Sequence, residues 1–367
     1  MKLKEYEGKE LFRRFGIPTT QGYIARKPED VREVTSPVVV KAQVNIGGRG
    51  KAGGIRFAST QDQVRKAMTD IIGMEIGGHR VEEVLVEERV SVDRELYLSI
   101  FLDRGSRLPR LMIIKEGGMD VESSDPSMVM SWPLNPFIGM PEYVGREAAQ
   151  EIVLDTTPTK QLADILERAW QLFWQMDCEL LEINPLVRTH DGRMLALDAK
   201  VVLDEDATFR HPDIAVTEED RSPLEAEARA MGLSLVQLDG DIGVVANGAG
   251  LTMATLDVLA LHGAKGGVFL DLGGTDDKDV VQRALELVLK AKPRVVLVNI
   301  FGGITKCDTV AEGIIEAKGK LDISEGLIVR LRGVNEAKAV GMLRDKGVLA
   351  MHDLDEACTL AARSRGA

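Results

Sequence analysis

Cysteine is scarce in this 367-residue chain: Cys178, Cys307 and Cys358 are odd in number, scattered, and form no CxxC pair. That excludes a disulfide scaffold and a cysteine-based zinc site, and it predicts a reducing compartment. Aromatic residues make up only 4% of the chain, so the core has to be aliphatic. No apolar run approaches the ~18 residues of a membrane span, and the amino terminus MKLKEYEGKELFRRFG is charged throughout rather than carrying a signal-peptide core. A cytoplasmic protein with no membrane partner is expected. Basic excess is absent too: 46 Lys and Arg against 58 Asp and Glu leave a net charge of -12, which repels nucleic acid. No nucleic-acid partner is expected, and any bound phosphate has to be held by local groups.

What remains is an ordinary soluble composition, 44% hydrophobic and 28% charged, on a chain too long for one hydrophobic core. The first half reads as mixed α+β. An amphipathic helix with Leu3, Tyr6, Leu11, Phe12 and Phe15 stops at Gly16, ahead of Pro18. The β-branched run 38–44 leads into a glycine-rich tip, 45–54, and a return strand at 55–57. Thr60 caps a further helix, and strands are predicted at 84–86, 96–102 and 111–115. An apolar stripe at helical spacing from Leu162 to Met176 precedes strands at 180–184 and 194–200, joined across an Asp191-Gly192 turn. Residues 204–238 are acidic and show no β pattern, which predicts an interdomain helix and linker. Beyond it, apolar strands at 242–246, 268–271, 295–300, 327–331 and 348–352 alternate with helices. That alternation predicts a doubly wound parallel sheet with ligands at the strands' carboxyl ends. The expected domains are 1–230 and 231–367.

Two groups of residues carry chemistry. Lys41 ends an otherwise apolar strand beside Gly48-Arg49-Gly50-Lys51, where glycines let backbone N–H groups approach an anion and the cations add local charge. This is neither a Walker loop nor a GxGxxG fingerprint. Glu182, Asn184 and Asp198 lie on the paired strands, with 182 and 184 on one side. A carboxamide oxygen and a carboxylate there suit Mg²⁺, which takes a few protein oxygens plus phosphate oxygens and water; solvated acids on a surface hairpin are the plain alternative.

The segments KEYEGKELFRRFGIP, VVVKAQV with GGRGKAGG, VEERV followed by ELYL, EINPLV with LALDAK, VVANGAGLTMATLD, FLDLGG and VNIFGGITKCD occur in this order. Together, and nearly end to end, they resemble the β subunits of succinyl-CoA synthetases, the NDP-forming succinate–CoA ligases. The resemblance implies an ATP-grasp nucleotide-binding domain followed by a flavodoxin-like ligase domain. By its pattern Lys41, Gly48, Arg49 and Gly50 contact the nucleotide phosphates. Glu87 and Val90 border the base, Glu95 is a nucleotide-binding acid, and Asn184 and Asp198 are the Mg²⁺ ligands. Asn247, Gly303, Ile304 and Thr305 match substrate-binding positions shared with a partner subunit.

The implied reaction is succinate + CoA + NTP ⇌ succinyl-CoA + NDP + phosphate, run through succinyl phosphate and a phosphohistidine. None of the five histidines here, His79, His190, His211, His262 and His352, sits in a glycine-rich setting suited to presenting a phosphorylated imidazole. The phosphohistidine and most of the CoA site are therefore expected on a separate α subunit, in an αβ or α2β2 assembly. Glu182 is the catalytic candidate, its carboxylate accepting from the visiting imidazole N–H so that the other ring nitrogen takes the phosphoryl group. A sister ligase acting on malate or another dicarboxylate shares these motifs. ATP/ADP against GTP/GDP stays open, since the Thr20 hydroxyl, placed by the resemblance near the base, suits either purine.

Overall fold

A computed structural model of the chain describes residues 1–118, 125–152, 156–214, 222–320 and 326–364. It divides into two compact units, Met1–Asp220 and Arg221–Ala367.

In the first unit the elements run α1 (Glu5–Arg14), β1 (Gly22–Ala25), β2 (Val38–Ala42), β3 (Ile55–Ala58) and α2 (Gln61–Ile71). A short hairpin, β4 (Glu75–Ile76) and β5 (His79–Arg80), leads to β6 (Val84–Glu88), β7 (Val92–Asp103), β8 (Leu108–Ile114) and β9 (Val129–Pro133). Helices α3 (Glu142–Ile152) and α4 (Thr156–Gln175) precede β10 (Cys178–Thr189), β11 (Met194–Ala196) and β12 (Lys200–Leu203). Apart from the β4–β5 hairpin, which pairs only with itself, these strands form two antiparallel sheets. The smaller has the order β1-β6-β2-β3, and α2 lays Val64, Ala67, Met68 and Ile71 into its core. Thr60 caps α2 by accepting from the Gln63 N–H at 3.3 Å, as predicted. The larger sheet has the order β11-β10-β7-β8-β9, with β12 also on β10, and shares an aliphatic core with residues of α1, α3 and α4. Helix α1 ends where Gly16 takes φ +76°, the left-handed region that ends many helices.

In the second unit α5 (Pro223–Ala230) and β13 (Ser234–Gln237) come first, followed by β14 (Ile242–Ala246), α6 (Ala249–Leu261), β15 (Gly266–Asp271) and α7 (Lys278–Lys290). The chain continues as β16 (Val295–Gly302), α8 (Cys307–Lys320), β17 (Leu327–Gly333), α9 (Glu336–Asp345), β18 (Leu349–Met351) and α10 (Leu354–Ser364). The parallel strands order as β15-β14-β16-β17-β18, the flavodoxin-like 2-1-3-4-5 arrangement, so the predicted doubly wound sheet is present. Strand order reverses between β14 and β16, which opens a crevice at their carboxyl ends.

Two expectations need correcting. The stretch 204–238 is not free of β structure: β13 adds an antiparallel edge strand to β15, and four residues of which Leu235 alone is buried give too little alternation to show in the sequence. Residues 215–221 of that stretch lie outside the described residues. The strand expected over 194–200 is two, β11 and β12, interrupted at 197–199, and that interruption carries the site.

Candidate active site

Alternation on β10 sends Leu181 and Ile183 into the core and leaves Glu182 and Asn184 half-buried on the opposite face. The pairings Glu182↔Lys200 and Leu186↔Ala196 bracket the gap, so Asn184 and Asp198 stand opposite one another in the same register. Pro185 has no N–H with which to continue the ladder there; its carbonyl accepts from the Leu197 N–H at 3.1 Å. The freed Leu197 carbonyl turns to Lys41, accepting from its ammonium at 2.6 Å.

Lys41 is anchored from three directions, since the same ammonium also donates to Glu5 Oε1 at 2.9 Å and pairs with Glu87 Oε1 at 2.5 Å. Arg49 reaches back from the glycine-rich tip, giving one nitrogen to Glu5 Oε2 at 2.6 Å and the other to both oxygens of Asp198 at 2.9 and 2.8 Å. Lys9 completes the cluster, with Glu5 at 2.9 Å, Glu87 at 2.5 Å and Thr20 at 3.2 Å, while Thr20 donates to Glu87 at 2.6 Å. Three carboxylates thus interleave with three cations. Burial by itself penalises every one of these charges. It works to depress the Lys41 ammonium, but Glu5, then Glu87 and Asp198, outweigh it and hold the group above its ordinary range. Arg49 is raised in the same way by Asp198 and Glu5. Burial works to raise the Glu5 carboxyl, yet Lys41, Lys9 and Arg49 together hold it well below the usual carboxylate range. Asp198 goes the other way, raised by burial and by the nearby charge of Glu5 against the pull of Arg49.

The structure therefore brings together Lys41, Arg49, Glu87 and Asp198, and adds Glu5 and Lys9, which the sequence reading missed. The signal existed: positions 5, 9 and 12 share one helical face, and Phe12 is fully buried, so a Glu and a Lys on that face had to be paired. Gly48 takes φ +77°, which requires glycine, and nothing crowds its outward side; Gly50 is exposed and has ordinary backbone geometry. Glu182 pairs with Lys200 at 3.3 Å on the adjacent strand. A second grouping gathers Glu95 and Asn184 around the 117–118 turn: Gly118 donates its N–H to Asn184 Oδ1 at 2.8 Å, and a Cβ on Gly118 would lie 2.1 Å from Glu95 Oε2. Val90 is half-buried just beyond β6.

For a metal, the donors at hand are the Asn184 carboxamide oxygen and the Asp198 carboxylate, the latter 32% exposed. No cluster of three or more His, Cys, Asp or Glu able to hold a metal occurs among the described residues. Two hard oxygens suit Mg²⁺, whose other positions phosphate oxygens and water would fill, once Asn184 gives up the Gly118 N–H and Asp198 gives up Arg49. They do not fit zinc.

In the second unit the predicted loops gather at the crevice. The Asn247 carboxamide bridges β14 to β16, donating to the Phe301 carbonyl and accepting from the Phe301 N–H, both at 2.9 Å. Gly302 is closed in, a Cβ there meeting the Cys307 sulfur at 2.8 Å, whereas Gly303 faces open space and Ile304 is 78% exposed. Thr305 is buried, and its hydroxyl oxygen makes no hydrogen bond within the chain. The 273–278 loop is tied to this segment by Asp276, which accepts from the Thr309 hydroxyl at 2.7 Å and pairs with Lys306. Asp308, a possible cap for α8, instead accepts from Asn335 at 2.9 Å and Lys338 at 2.8 Å.

Comparison with known proteins agrees with both halves. An ATP-grasp domain model matches residues 2–188 and a CoA-ligase model residues 245–364. The chain is 43% identical over 378 residues to the succinate–CoA ligase (ADP-forming) subunit beta of Chloroflexus aurantiacus, covering 100% of both chains. It is 42% identical over 368 residues to the protein of that name in Desulfurococcus amylolyticus, covering 97% of each. A solved structure of ATP citrate lyase from Methanothrix soehngenii, in complex with citrate and coenzyme A, aligns with a TM-score of 0.75 over 99% of both chains, at an 18% identity that shows the fold alone. The chain belongs to the family of succinate–CoA ligase β subunits, CoA ligases in which a nucleotide-binding ATP-grasp domain precedes the ligase domain.

Proposed function

We propose that this chain is the nucleotide-binding β subunit of an ADP-forming succinate–CoA ligase that works with an α subunit carrying the phosphorylated histidine and most of the CoA site. The observation that supports this best is the buried cluster in which Lys41 and Arg49 converge with Asp198 beneath an open glycine-rich tip. Lys41, Arg49 and the N–H groups around Gly48 and Gly50 take the nucleotide phosphates, Glu95 and Val90 line the remainder of the nucleotide, and Asn184 and Asp198 hold Mg²⁺. The metal supplies charge neutralisation at the phosphates. Glu87 acts from beneath, through Lys41. The printed names of the relatives favour succinate over malate and ADP over GDP. No described helix is long and apolar enough to cross a membrane and all three cysteines are free, which fits a cytoplasmic enzyme.

Phosphate passes between nucleotide and acyl group on the visiting histidine: the succinate carboxylate takes the phosphoryl group and frees the imidazole, and the CoA thiol then attacks the acyl carbon and displaces phosphate, a better leaving group than the bare carboxylate oxygen. Glu182 accepts from the imidazole N–H near the nucleotide. At the other end, Asn247 and the Gly303-Ile304-Thr305 segment meet the substrate, where the positive end of the α8 dipole favours an anion although the Lys306 and Cys307 amides already donate to Asp276 and to the Val334 carbonyl. Co-expression with the cognate α subunit, followed by assays with CoA, succinate or malate, and ATP or GTP, tests the reading; turnover restricted to malate, or none with ATP, overturns it. Glu182→Gln should slow phosphorylation of the α subunit by ATP at least tenfold more than its phosphorylation from succinyl-CoA and phosphate. Equal slowing in both directions removes Glu182 from the nucleotide-side step.

A further inference from the structure

Behind Lys41 and Arg49 stand two buried charges with no part in the proposed chemistry: Glu5, which pairs with both cations, and Lys9, which pairs with Glu5 and Glu87. We infer that Glu5 and Lys9, one turn apart on α1, are positioning residues for nucleotide binding: Glu5 aims both phosphate-binding cations, and Lys9 keeps Glu5 and Glu87 paired when Lys41 turns to phosphate. This rests on Lys41 and Arg49 being the phosphate ligands.

Glu5 divides its oxygens, Oε1 on Lys41 and Lys9 and Oε2 on Arg49, so a single carboxylate from the helix sets the spacing of a strand lysine and a loop arginine. The Lys41 ammonium has three protons, and Glu5, Glu87 and the Leu197 carbonyl use all of them. To bind a phosphate oxygen it has to release one. Releasing a buried carboxylate with no other cation beside it is strongly disfavoured. Lys9, 1% exposed, already bonds both Glu5 Oε1 and Glu87 Oε2, so either carboxylate keeps a partner after Lys41 moves. Arg49 likewise stays on Glu5 Oε2 if it gives up Asp198 to the metal.

The test separates aiming from plain charge. Removing the Glu5 charge makes the cluster more positive, so if Glu5 were only a counter-charge, Glu5→Gln would tighten binding of Mg-ADP and Glu5→Asp, which keeps the charge but shortens the reach, would leave it unchanged. Positioning requires both to weaken it, by about tenfold, and Lys9→Gln to weaken it similarly. Titration calorimetry with Mg-ADP on the co-purified complex with the α subunit reads this. Phosphorylation of the α subunit by succinyl-CoA and phosphate, which does not use the nucleotide site, should stay within twofold of wild type. Unchanged or tighter Mg-ADP binding in the two Glu5 variants overturns the inference, as does equal loss of nucleotide binding and succinyl-CoA-driven phosphorylation. Lys41→Met serves as the control: if it leaves Mg-ADP binding intact, the nucleotide reading itself fails, whereas a loss there alone leaves that reading standing and removes only the role of Glu5 and Lys9.

Discussion

Asp198 and Asp308 carry carboxylates under opposite pressures, and each can be tested alone. At Asp198, burial and the neighbouring Glu5 raise the proton affinity while a bidentate Arg49 opposes them, and under the proposed metal role a divalent ion takes the place of the guanidinium. Asp198→Asn keeps the shape and removes the charge, and losing one charge-assisted contact of ~1.5–3 kcal/mol corresponds to a tenfold or greater loss of Mg-ADP affinity at limiting Mg²⁺. Affinity unchanged under those conditions removes Asp198 from the metal site. Asp308 is simpler: its hydrogen bond from Lys338, then that from Asn335, lowers its pKa from 3.8 to about 2. A folded-state pKa below the unfolded one stabilises the fold above the unfolded value, and the contribution disappears as pH falls toward the folded value. Asp308→Asn should therefore lower the unfolding free energy read from urea titration at neutral pH by on the order of 1 kcal/mol after solvent screening, and the gap to wild type should close between about pH 4 and pH 2. A gap that persists at pH 2 contradicts the pairing.

At the scale of elements, the turn from β16 into α8 separates two neighbouring glycines by what surrounds them. Gly302 is walled in by the Cys307 sulfur and two backbone carbonyls, so a side chain there disturbs the fold. Gly303 has nothing within reach of a Cβ and needs no positive φ, so Gly303→Val costs the free chain less than about 0.5 kcal/mol, as for most surface changes. Any loss then reports on what approaches from outside. Phosphorylation of the α subunit by succinyl-CoA and phosphate should fall more than tenfold, with Mg-ADP affinity unaltered. Normal phosphorylation speaks against an anion port at α8. The orphaned Thr305 hydroxyl supports the port, since a buried oxygen without a partner is costly unless a ligand supplies one.

On the scale of the whole molecule, the second unit starts ahead of α5 rather than near residue 230, because α5 and β13 belong to its core. A fragment beginning at residue 222 keeps Ala228, Leu233 and Leu235 in place; one beginning at 239 loses all three and bares the edge of β15. Two buried leucines at roughly 2–3 kcal/mol each amount to about 5 kcal/mol, on the order of a domain's entire stability. The longer fragment should melt cooperatively in circular dichroism and the shorter should be unfolded or aggregated. Equal melting of both places β13 outside the fold.

Local pattern was enough for the parallel strands of the second unit, since a βα alternation of aliphatic strands allows few arrangements and its loops have to meet at the strands' carboxyl ends. Lys41 and Asn184 were legible as breaks in a pattern, a cation after an apolar strand run and an oxygen beside a proline, Arg49 as a cation among glycines, and Asp198 from its place on the strand paired with that of Asn184. Strand β13 was not, being too short to show a period. Nor was the pairing of Lys9 with Glu87, 78 positions apart in the chain, or of Glu5 with Lys41 and Arg49, 36 and 44 apart. One-dimensional spacing says that a charged face of α1 is buried, but which charges meet it follows only once β2, β6 and the break before β12 converge on that helix. Burial then makes exact pairing obligatory, because an uncompensated charge in that interior is not tolerated.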